Sequence, residues 1–151
     1  MVSRVIPVQA FDLVVFGGTG DLAKRKILPS LFRRFVAGQM PNDAFVIGVA
    51  RSELTTKSYQ DLVISALKEF EPELVASAEL KIFIKQIKYV QIDAQGDFGW
   101  SDLADKVRKD AIQAFYFSVS PSLFGQLAEK LHQYSIAVSY THLTLPTKRI
   151  V

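Results

Sequence analysis

The residues of this chain best suited to chemistry form a glycine-rich segment, FGGTGD, at positions 16–21. The segment follows an apolar run at 13–15 and precedes residues 27–36, whose apolar members recur at helical spacing. Strand, glycine turn and helix in this order predict a phosphate-binding loop, because glycine lets a diphosphate approach the backbone and the helix start offers free N–H groups. The residues predicted to line the diphosphate are Gly17, Gly18, Thr19 and Gly20.

The spacing of these residues narrows the class of loop. It is G-x-x-G-x-x-A, with Ala23 where a third glycine would allow close packing of the helix on the strand, so the strict G-x-G-x-x-G pattern is absent. Gly20 is followed by Asp21 rather than by Lys and a hydroxyl residue, which excludes a P-loop. Two interpretations remain at this point: a nucleotide-binding loop, or a glycine-rich βα turn that binds nothing.

An arginine follows the second predicted strand, where NAD-type sites usually place Asp or Glu to hold the ribose 2′-hydroxyl. This chain has Ala50, Arg51 and Ser52 there, and no carboxylate before Glu53. A guanidinium attracts a 2′-phosphate by charge and by bidentate hydrogen bonds. Arg51 therefore predicts NADP rather than NAD, with the Thr19 hydroxyl as a second donor; the alternative is a solvated surface charge.

The residues that open the first helix are expected to serve the same site. Asp21 should accept backbone N–H bonds at the helix start and complement the helix dipole. Leu22 and Ala23 should pack the helix on the sheet while their N–H groups face the cofactor.

Two further predictions concern charged residues near the site. Lys24 stands in a basic cluster with Arg25 and Lys26 and is predicted to contact the cofactor, the alternative being a solvated helix face. Asp93 ends the third predicted strand and is predicted to approach the adenine ring, the alternative being an Asp that simply starts a loop.

Apolar periodicity predicts strands that alternate with helices. Pro29 lies inside the first helix and predicts a kink or break, because it removes a backbone donor, and Gly38 is predicted to cap that helix. Trp100 is expected to be a packing residue and His132 a surface residue. The predicted strands are 11–16, 44–50, 87–92 and 112–119, and the predicted helical segments are 21–37, one capped by Thr55 or Thr56, 72–86, 98–109 and 122–134.

This alternation predicts an α/β fold, a Rossmann-like doubly wound parallel sheet that is incomplete at its C-terminal side. Residues 136–138 are a candidate start of a fifth strand, whereas residues 139–151 show no helical or strand period. We therefore expect a partial nucleotide-binding domain over residues 1–138. Residues 139–151 resemble translated sequencing-adapter DNA and are expected to be an artefactual tail.

Composition sets outer limits on function. The chain has 151 residues, of which 49% are hydrophobic and 22% charged, an ordinary balance for one globular domain. It has no cysteine, so disulfides, thiol chemistry and Cys-based metal sites are excluded, and we expect no metal site. The net charge of +3 is too small to indicate a nucleic-acid partner, and no apolar run suits a membrane span. We expect a cytoplasmic protein.

The string GGTGDLAKRK at 17–26 closely resembles the cofactor fingerprint of glucose-6-phosphate dehydrogenases. The resemblance continues in IGVARS at 47–52 and FYFSVSP at 115–121 and covers roughly residues 10–137. It implies NADP-linked oxidation of glucose 6-phosphate to a lactone, the step that opens the pentose phosphate route. It also implies that Lys26 lies near the substrate phosphate, and that the whole enzyme forms a homo-oligomer through a further domain.

The same resemblance implies that the catalytic base, a His oriented by an Asp, lies beyond this first domain. We therefore predict no catalytic residue in this chain and no dehydrogenase activity of the polypeptide alone. Two other interpretations remain. One is an atypical short-chain reductase-like protein that binds NADP, a family that usually has an apolar residue in the place of Asp21. The other is a non-catalytic nucleotide-binding module.

Overall fold

Five parallel strands form a sheet in the computed structural model, which describes residues 11–40, 43–93, 96–108, 111–134, 136 and 142–144. Their order in the sheet is β3-β2-β1-β4-β5, so the direction in which the sheet grows reverses between β1 and β4. In a doubly wound sheet the ligand crevice lies outside the carboxyl ends of the strands at this point of reversal. The strands are β1 (Phe11–Phe16), β2 (Ala44–Ala50), β3 (Ile87–Gln91), β4 (Ile112–Phe117) and β5 (His142–Thr144).

Helices cover both faces of this sheet, as predicted for a doubly wound fold. Helices α1, α2 and α3 bury one apolar cluster against β1, β2 and β3, whereas α4 and α5 bury a second cluster on the opposite face. Among the described residues, no helix combines the length and the apolar character that crossing a bilayer requires. The helices are α1 (Leu28–Val36), α2 (Thr56–Phe70), α3 (Glu79–Lys85), α4 (Trp100–Lys106) and α5 (Phe124–Gln133), with 3₁₀ turns at Leu74–Ala76 and Pro121–Leu123.

Most of the predicted elements are confirmed, because their apolar residues follow the periods of buried strands and amphipathic helices. The predicted bounds of β1 and β2 agree with the structure, and β4 ends two residues before the predicted end. Thr55 caps α2 by accepting a hydrogen bond from the Ser58 N–H at 3.0 Å. Trp100 is fully buried in the second apolar cluster, and His132 is exposed.

The first helix opens with a π-helical turn over Ala23–Ile27, which runs directly into α1. The N–H of Leu28 donates to the carbonyl of Ala23, five residues earlier. Pro29 then stands at the beginning of α1 and offers no N–H to the carbonyl groups of the π-helical turn before it. The helix does not break at Pro29; its departure from α-helical geometry is the π-helical turn ahead of the proline. Gly38 follows α1 at φ +76°, the left-handed conformation expected of a C-terminal cap.

The C-terminal edge of the sheet differs from the sequence-based expectation. Strand β5 pairs with β4 and places His142 opposite Ala114, so the expectation that residues 139–151 have no strand is wrong for residues 142–144. The exposed edge of β4 offers unpaired backbone groups, and an extended segment can satisfy them whatever its side-chain pattern. The candidate strand 136–138 lies outside the described residues except for Ile136, which is buried and not in a strand. The artefactual origin of the tail stays a prediction.

A buried carboxylate stabilises the end of the sheet opposite the crevice. Asp12 in β1 is fully buried, and its oxygens accept hydrogen bonds from Arg108 Nε at 3.0 Å, Arg108 Nη2 at 2.7 Å and the Arg108 backbone N–H at 2.7 Å. Arg108 also pairs with Asp43 and lies 4.2 Å from the centre of the Phe45 ring. The hydrogen bonds to Asp12 are the main reason why the pKa of Arg108 is raised. This cluster joins the segment after α4 to β1 and to the start of β2.

Replacing Arg108 tests the contribution of this cluster. Arg108→Ala is expected to lower the free energy of unfolding by about 3–5 kcal/mol, because it leaves the buried Asp12 carboxylate without its charge partner. Urea unfolding followed by circular dichroism measures the change. Lys57→Ala is the control, since Lys57 forms an exposed pair with Asp61 that contributes at most about 1 kcal/mol. Equal effects of the two substitutions would contradict the assignment.

Candidate functional site

A cleft of about 440 Å³ opens at the carboxyl ends of β1, β2 and β4. The glycine turn after β1 contributes Gly17 and Thr19, and the end of β2 contributes Arg51 and Ser52. Leu127 of α5 and other apolar side chains close its far side. The structure therefore brings the glycine turn and Arg51, which are far apart in the sequence, to the same cleft.

Gly17 must be glycine in this structure. Its φ is +83°, and a Cβ atom there would lie 2.1 Å from the Ser118 carbonyl oxygen. The contact exists because Ser118 continues β4 alongside β1 and donates its N–H to the Phe16 carbonyl at 2.8 Å. The turn after β4 therefore lies directly against the glycine turn.

Several backbone N–H groups of the glycine turn already donate hydrogen bonds within the protein. The N–H groups of Gly17 and Gly18 both donate to the Val49 carbonyl, at 2.8 and 3.1 Å, and the Gly20 N–H donates to the Gly17 carbonyl at 3.0 Å. Gly18 itself is buried beneath the turn. Four N–H groups at the end of the turn and the start of the helix have no acceptor among the described residues, so they remain available to an anion. They belong to Thr19, Asp21, Leu22 and Ala23.

The packing predicted for the residues at the helix start is confirmed only in part. Ala23 is fully buried and packs between the helix and the sheet, as predicted. Leu22 is 36% exposed and belongs to neither apolar cluster, so its predicted packing on the sheet is wrong. Asp21 does not cap the helix through a described backbone N–H; its carboxylate lies 3.2 Å from Arg25 Nε, one helical turn later.

The two predicted lysines lie on opposite sides of the first helix. Lys24 lines a groove of about 380 Å³ towards α2, together with Asp21 and Phe70. Lys26 is exposed and lines another groove of about 380 Å³ towards β4, together with Tyr116. Neither lysine lines the cleft that holds Gly17 and Arg51.

Arg51 stands between two clefts at the carboxyl end of β2. It is exposed, and besides the cleft of the glycine turn it borders a second cleft of about 510 Å³ with Asp93 and Phe98. The Phe98 side chain is 62% exposed there. The structure thus brings Asp93 next to Arg51, although 42 positions separate them in the sequence.

Sequence reasoning missed two tyrosines beneath the site. Tyr59 of α2 donates a hydrogen bond from its hydroxyl to the Gly18 carbonyl at 2.9 Å, and the Tyr89 hydroxyl lies 2.6 Å from the Ser52 carbonyl. The available signal was Gly48 in the middle of β2, since a glycine inside a strand often marks the close approach of another group. A Cβ atom on Gly48 would lie 2.3 Å from Cζ of Tyr59.

Comparison with known proteins identifies the family to which this arrangement belongs. The family model described as "Glucose-6-phosphate dehydrogenase, NAD binding domain" matches residues 14–151. The chain belongs to the glucose-6-phosphate dehydrogenase family. It is 38% identical over 148 residues to the glucose-6-phosphate 1-dehydrogenase of Rhizobium meliloti, which is 96% of this chain and 30% of that relative. The same enzyme of Gluconobacter oxydans is 36% identical over 95% of this chain and 29% of its own length.

Solved structures agree with this assignment. The glucose-6-phosphate 1-dehydrogenase of Mycobacterium avium superposes with a TM-score of 0.81 at 25% identity, over 91% of this chain and 30% of that chain. A glucose-6-phosphate dehydrogenase in complex with its substrate superposes with a TM-score of 0.75 at 23% identity, over 96% of this chain and 30% of that chain, and supports the fold. The chain thus spans about 30% of the length of its glucose-6-phosphate dehydrogenase relatives. A NAD-binding domain implies a nicotinamide dinucleotide cofactor.

The described ranges contain no group of three or more His, Asp or Glu side chains close enough to hold a metal ion. The polar side chains that line the cleft of the glycine turn belong to Thr19, Arg51 and Ser52.

Substitution of Gly17 tests the geometry of the turn. Gly17→Ala is expected to cost at least about 1–2 kcal/mol of folding free energy, because its backbone is left-handed and its methyl group would overlap the Ser118 carbonyl. Thermal and urea unfolding measure the loss. Gly125→Ala is the matched control, since a Cβ atom at Gly125 meets nothing within 4 Å. A Gly17→Ala chain as stable as the Gly125→Ala chain would contradict the described turn.

Proposed function

We propose that this chain is the NADP-binding part of a glucose-6-phosphate dehydrogenase, an enzyme that oxidises the C1 hydroxyl of glucose 6-phosphate to a lactone in the pentose phosphate pathway. The observation that supports NADP is the position of Arg51, exposed at the end of β2 in the same cleft as the glycine turn. For the whole protein we propose a cytoplasmic homo-oligomer that associates through a further domain.

The glycine turn fits a diphosphate. Gly17 and Gly20 leave the backbone uncovered by side chains. The helix start presents the N–H groups of Thr19, Asp21, Leu22 and Ala23, which have no acceptor among the described residues, together with the positive end of the helix dipole. Gly18 shapes the turn from below rather than contacting the anion. The cleft is mostly lined by apolar residues on its other side, which suits the body of a nucleotide.

Arg51 gives this site its preference for a phosphorylated ribose. No carboxylate stands at the end of β2 to accept the ribose 2′-hydroxyl, and the guanidinium can donate two parallel hydrogen bonds to a 2′-phosphate. The Thr19 hydroxyl, in the same cleft, is a second donor. Asp93 and the exposed Phe98 ring border the second cleft beside Arg51, where they would receive the adenine.

Bound NADP supplies the acceptor for the hydride that leaves C1 of the sugar. Lys26 faces the β4 side of the first helix, which is the side of the reversal point where the reacting end of a dinucleotide passes the sheet. Its ammonium would attract and orient the phosphate of glucose 6-phosphate. Lys24, on the α2 side, adds positive charge near the diphosphate.

We propose that the polypeptide alone has no dehydrogenase activity. Proton removal from a sugar hydroxyl requires a base, and the described residues offer no His–carboxylate pair; His132 is exposed on α5. The purified 151-residue chain, mixed with glucose 6-phosphate and NADP, is therefore expected to form no NADPH by absorbance. Formation of NADPH in proportion to the amount of chain would contradict this, and a complete family enzyme serves as the positive control.

The cofactor preference has a direct test in Arg51→Ala. This substitution is expected to weaken NADP binding by about 1.5–3 kcal/mol, because it removes the charged partner of the 2′-phosphate, and to leave NAD binding nearly unchanged. Isothermal titration calorimetry measures both dissociation constants.

Arg34→Ala, which removes an exposed cation of α1 outside the cleft, is the matched control and should change neither constant. An NADP preference that survives Arg51→Ala would argue against the assignment of Arg51. A chain that binds NAD and NADP equally well would instead favour a non-selective nucleotide-binding module.

A further inference from the structure

Two tyrosines whose rings are in contact lie beneath the cleft, and neither is among the predicted site residues. Tyr59 of α2 and Tyr89 of β3 have ring centres 5.0 Å apart at an interplanar angle of 33°. Both side chains are buried, with 0% and 4% exposure. Because their hydroxyl groups contact different segments of the cleft wall, the pair connects the glycine turn with the segment that bears Arg51.

Tyr59 reaches the glycine turn from below. Its hydroxyl donates to the Gly18 carbonyl at 2.9 Å, and the ring fits there only because Gly48 of β2 has no side chain. Burial raises the pKa of the Tyr59 phenol, so the hydroxyl remains a protonated donor throughout the working pH range.

The bond from Tyr59 also sets the direction of a neighbouring donor. The carbonyl of Gly18 and the N–H of Thr19 belong to one planar trans peptide and point in opposite directions. Holding the Gly18 carbonyl towards Tyr59 therefore directs the Thr19 N–H away from Tyr59. That N–H has no acceptor among the described residues, and Thr19 lines the cleft.

Tyr89 acts on the other wall of the cleft. Its hydroxyl lies 2.6 Å from the Ser52 carbonyl and 3.2 Å from the Ala50 carbonyl, one residue on either side of Arg51. The carbonyl of Arg51 itself accepts a hydrogen bond from Gln91 Nε2 at 3.0 Å. Side chains of β3 thus contact three successive carbonyl groups, with the Tyr89 hydroxyl closest to the Ser52 carbonyl, and they restrain the backbone from which the Arg51 side chain extends.

We propose that Tyr59 and Tyr89 are positioning residues for the dinucleotide: Tyr59 orients the glycine turn towards the diphosphate, and Tyr89 orients Arg51 towards the 2′-phosphate. The inference rests on the proposed NADP binding. It assigns the two hydroxyl groups different effects, because the diphosphate is common to NAD and NADP whereas the 2′-phosphate belongs to NADP alone.

Calorimetric titration of the 151-residue chain with NADP and with NAD separates these roles. Tyr59→Phe keeps the ring and is expected to weaken the binding of both nucleotides by about threefold to tenfold, with the ratio of their dissociation constants unchanged. Tyr89→Phe is expected to weaken the binding of NADP by a similar factor of about threefold to tenfold and to change the binding of NAD little, so that the preference for NADP falls. Tyr134→Phe is the matched control, since Tyr134 stacks on Trp100 in the second apolar cluster and does not line the cleft of the glycine turn. It should change neither constant.

The outcomes separate this inference from the function on which it rests. Wild-type chain that binds neither nucleotide would overturn the proposed function. Wild-type chain that prefers NADP, with both tyrosine variants unchanged, would overturn only the positioning roles. Loss of thermal stability without a change of affinity would show that the hydroxyl groups only stabilise the fold. An equal loss of affinity for both nucleotides in Tyr89→Phe would overturn the specific role of Tyr89 in orienting Arg51.

Amide resonances of the unmodified chain give a test that needs no variant. Addition of NADP is expected to shift the Thr19 amide strongly and to slow its hydrogen exchange. The Gly18 amide, already bonded to the Val49 carbonyl, should change less. A larger effect on Gly18 than on Thr19 would overturn the orientation assigned to the turn.

Discussion

The close approach of three strand ends at Gly17 is the constraint on which the rest of the site depends. The Val49 carbonyl at the end of β2 accepts the N–H groups of Gly17 and Gly18, and the Ser118 carbonyl after β4 lies against the Gly17 Cα. A side chain on Gly17 would separate β1 from β4 at the point where the sheet reverses. The turn is therefore held by the neighbouring strands before any ligand arrives, which reduces the ordering cost of binding.

The buried ion pair and the candidate site occupy opposite ends of the same sheet. At the amino ends of the strands, Asp12 and Arg108 form a buried ion pair with several hydrogen bonds, and nothing in the proposed chemistry uses them. At the carboxyl ends, N–H groups of the glycine turn and the helix start have no acceptor in the part of the chain that the structure describes, and Arg51 is exposed. Groups left unsatisfied at one end are consistent with a site that a phosphorylated ligand completes.

The first helix separates the charges around this site into two groups. Lys24 and the Asp21–Arg25 pair lie towards α2, whereas Lys26 lies towards β4. Residues that are consecutive in the sequence can thus serve different parts of a ligand, since adjacent helical positions point about 100° apart. The π-helical turn over Ala23–Ile27 influences this division, because it changes the angular spacing before α1 begins.

Local pattern alone predicted strands β1 to β4, the helical segments, the glycine turn and the position of Arg51, because burial on one or two faces leaves its period in the sequence. The burial of Ala23 and the capping position of Gly38 were also predictable from the sequence, since each meets a local packing or backbone requirement. The exposure of Leu22, the pairing of Asp21 with Arg25 and the strand β5 depended on tertiary structure. So did the contacts of Tyr59 and Tyr89, which join residues 41 and 37 positions apart. Such contacts depend on how helices and strands pack against one another, and the spacing of residues in the sequence does not specify that packing.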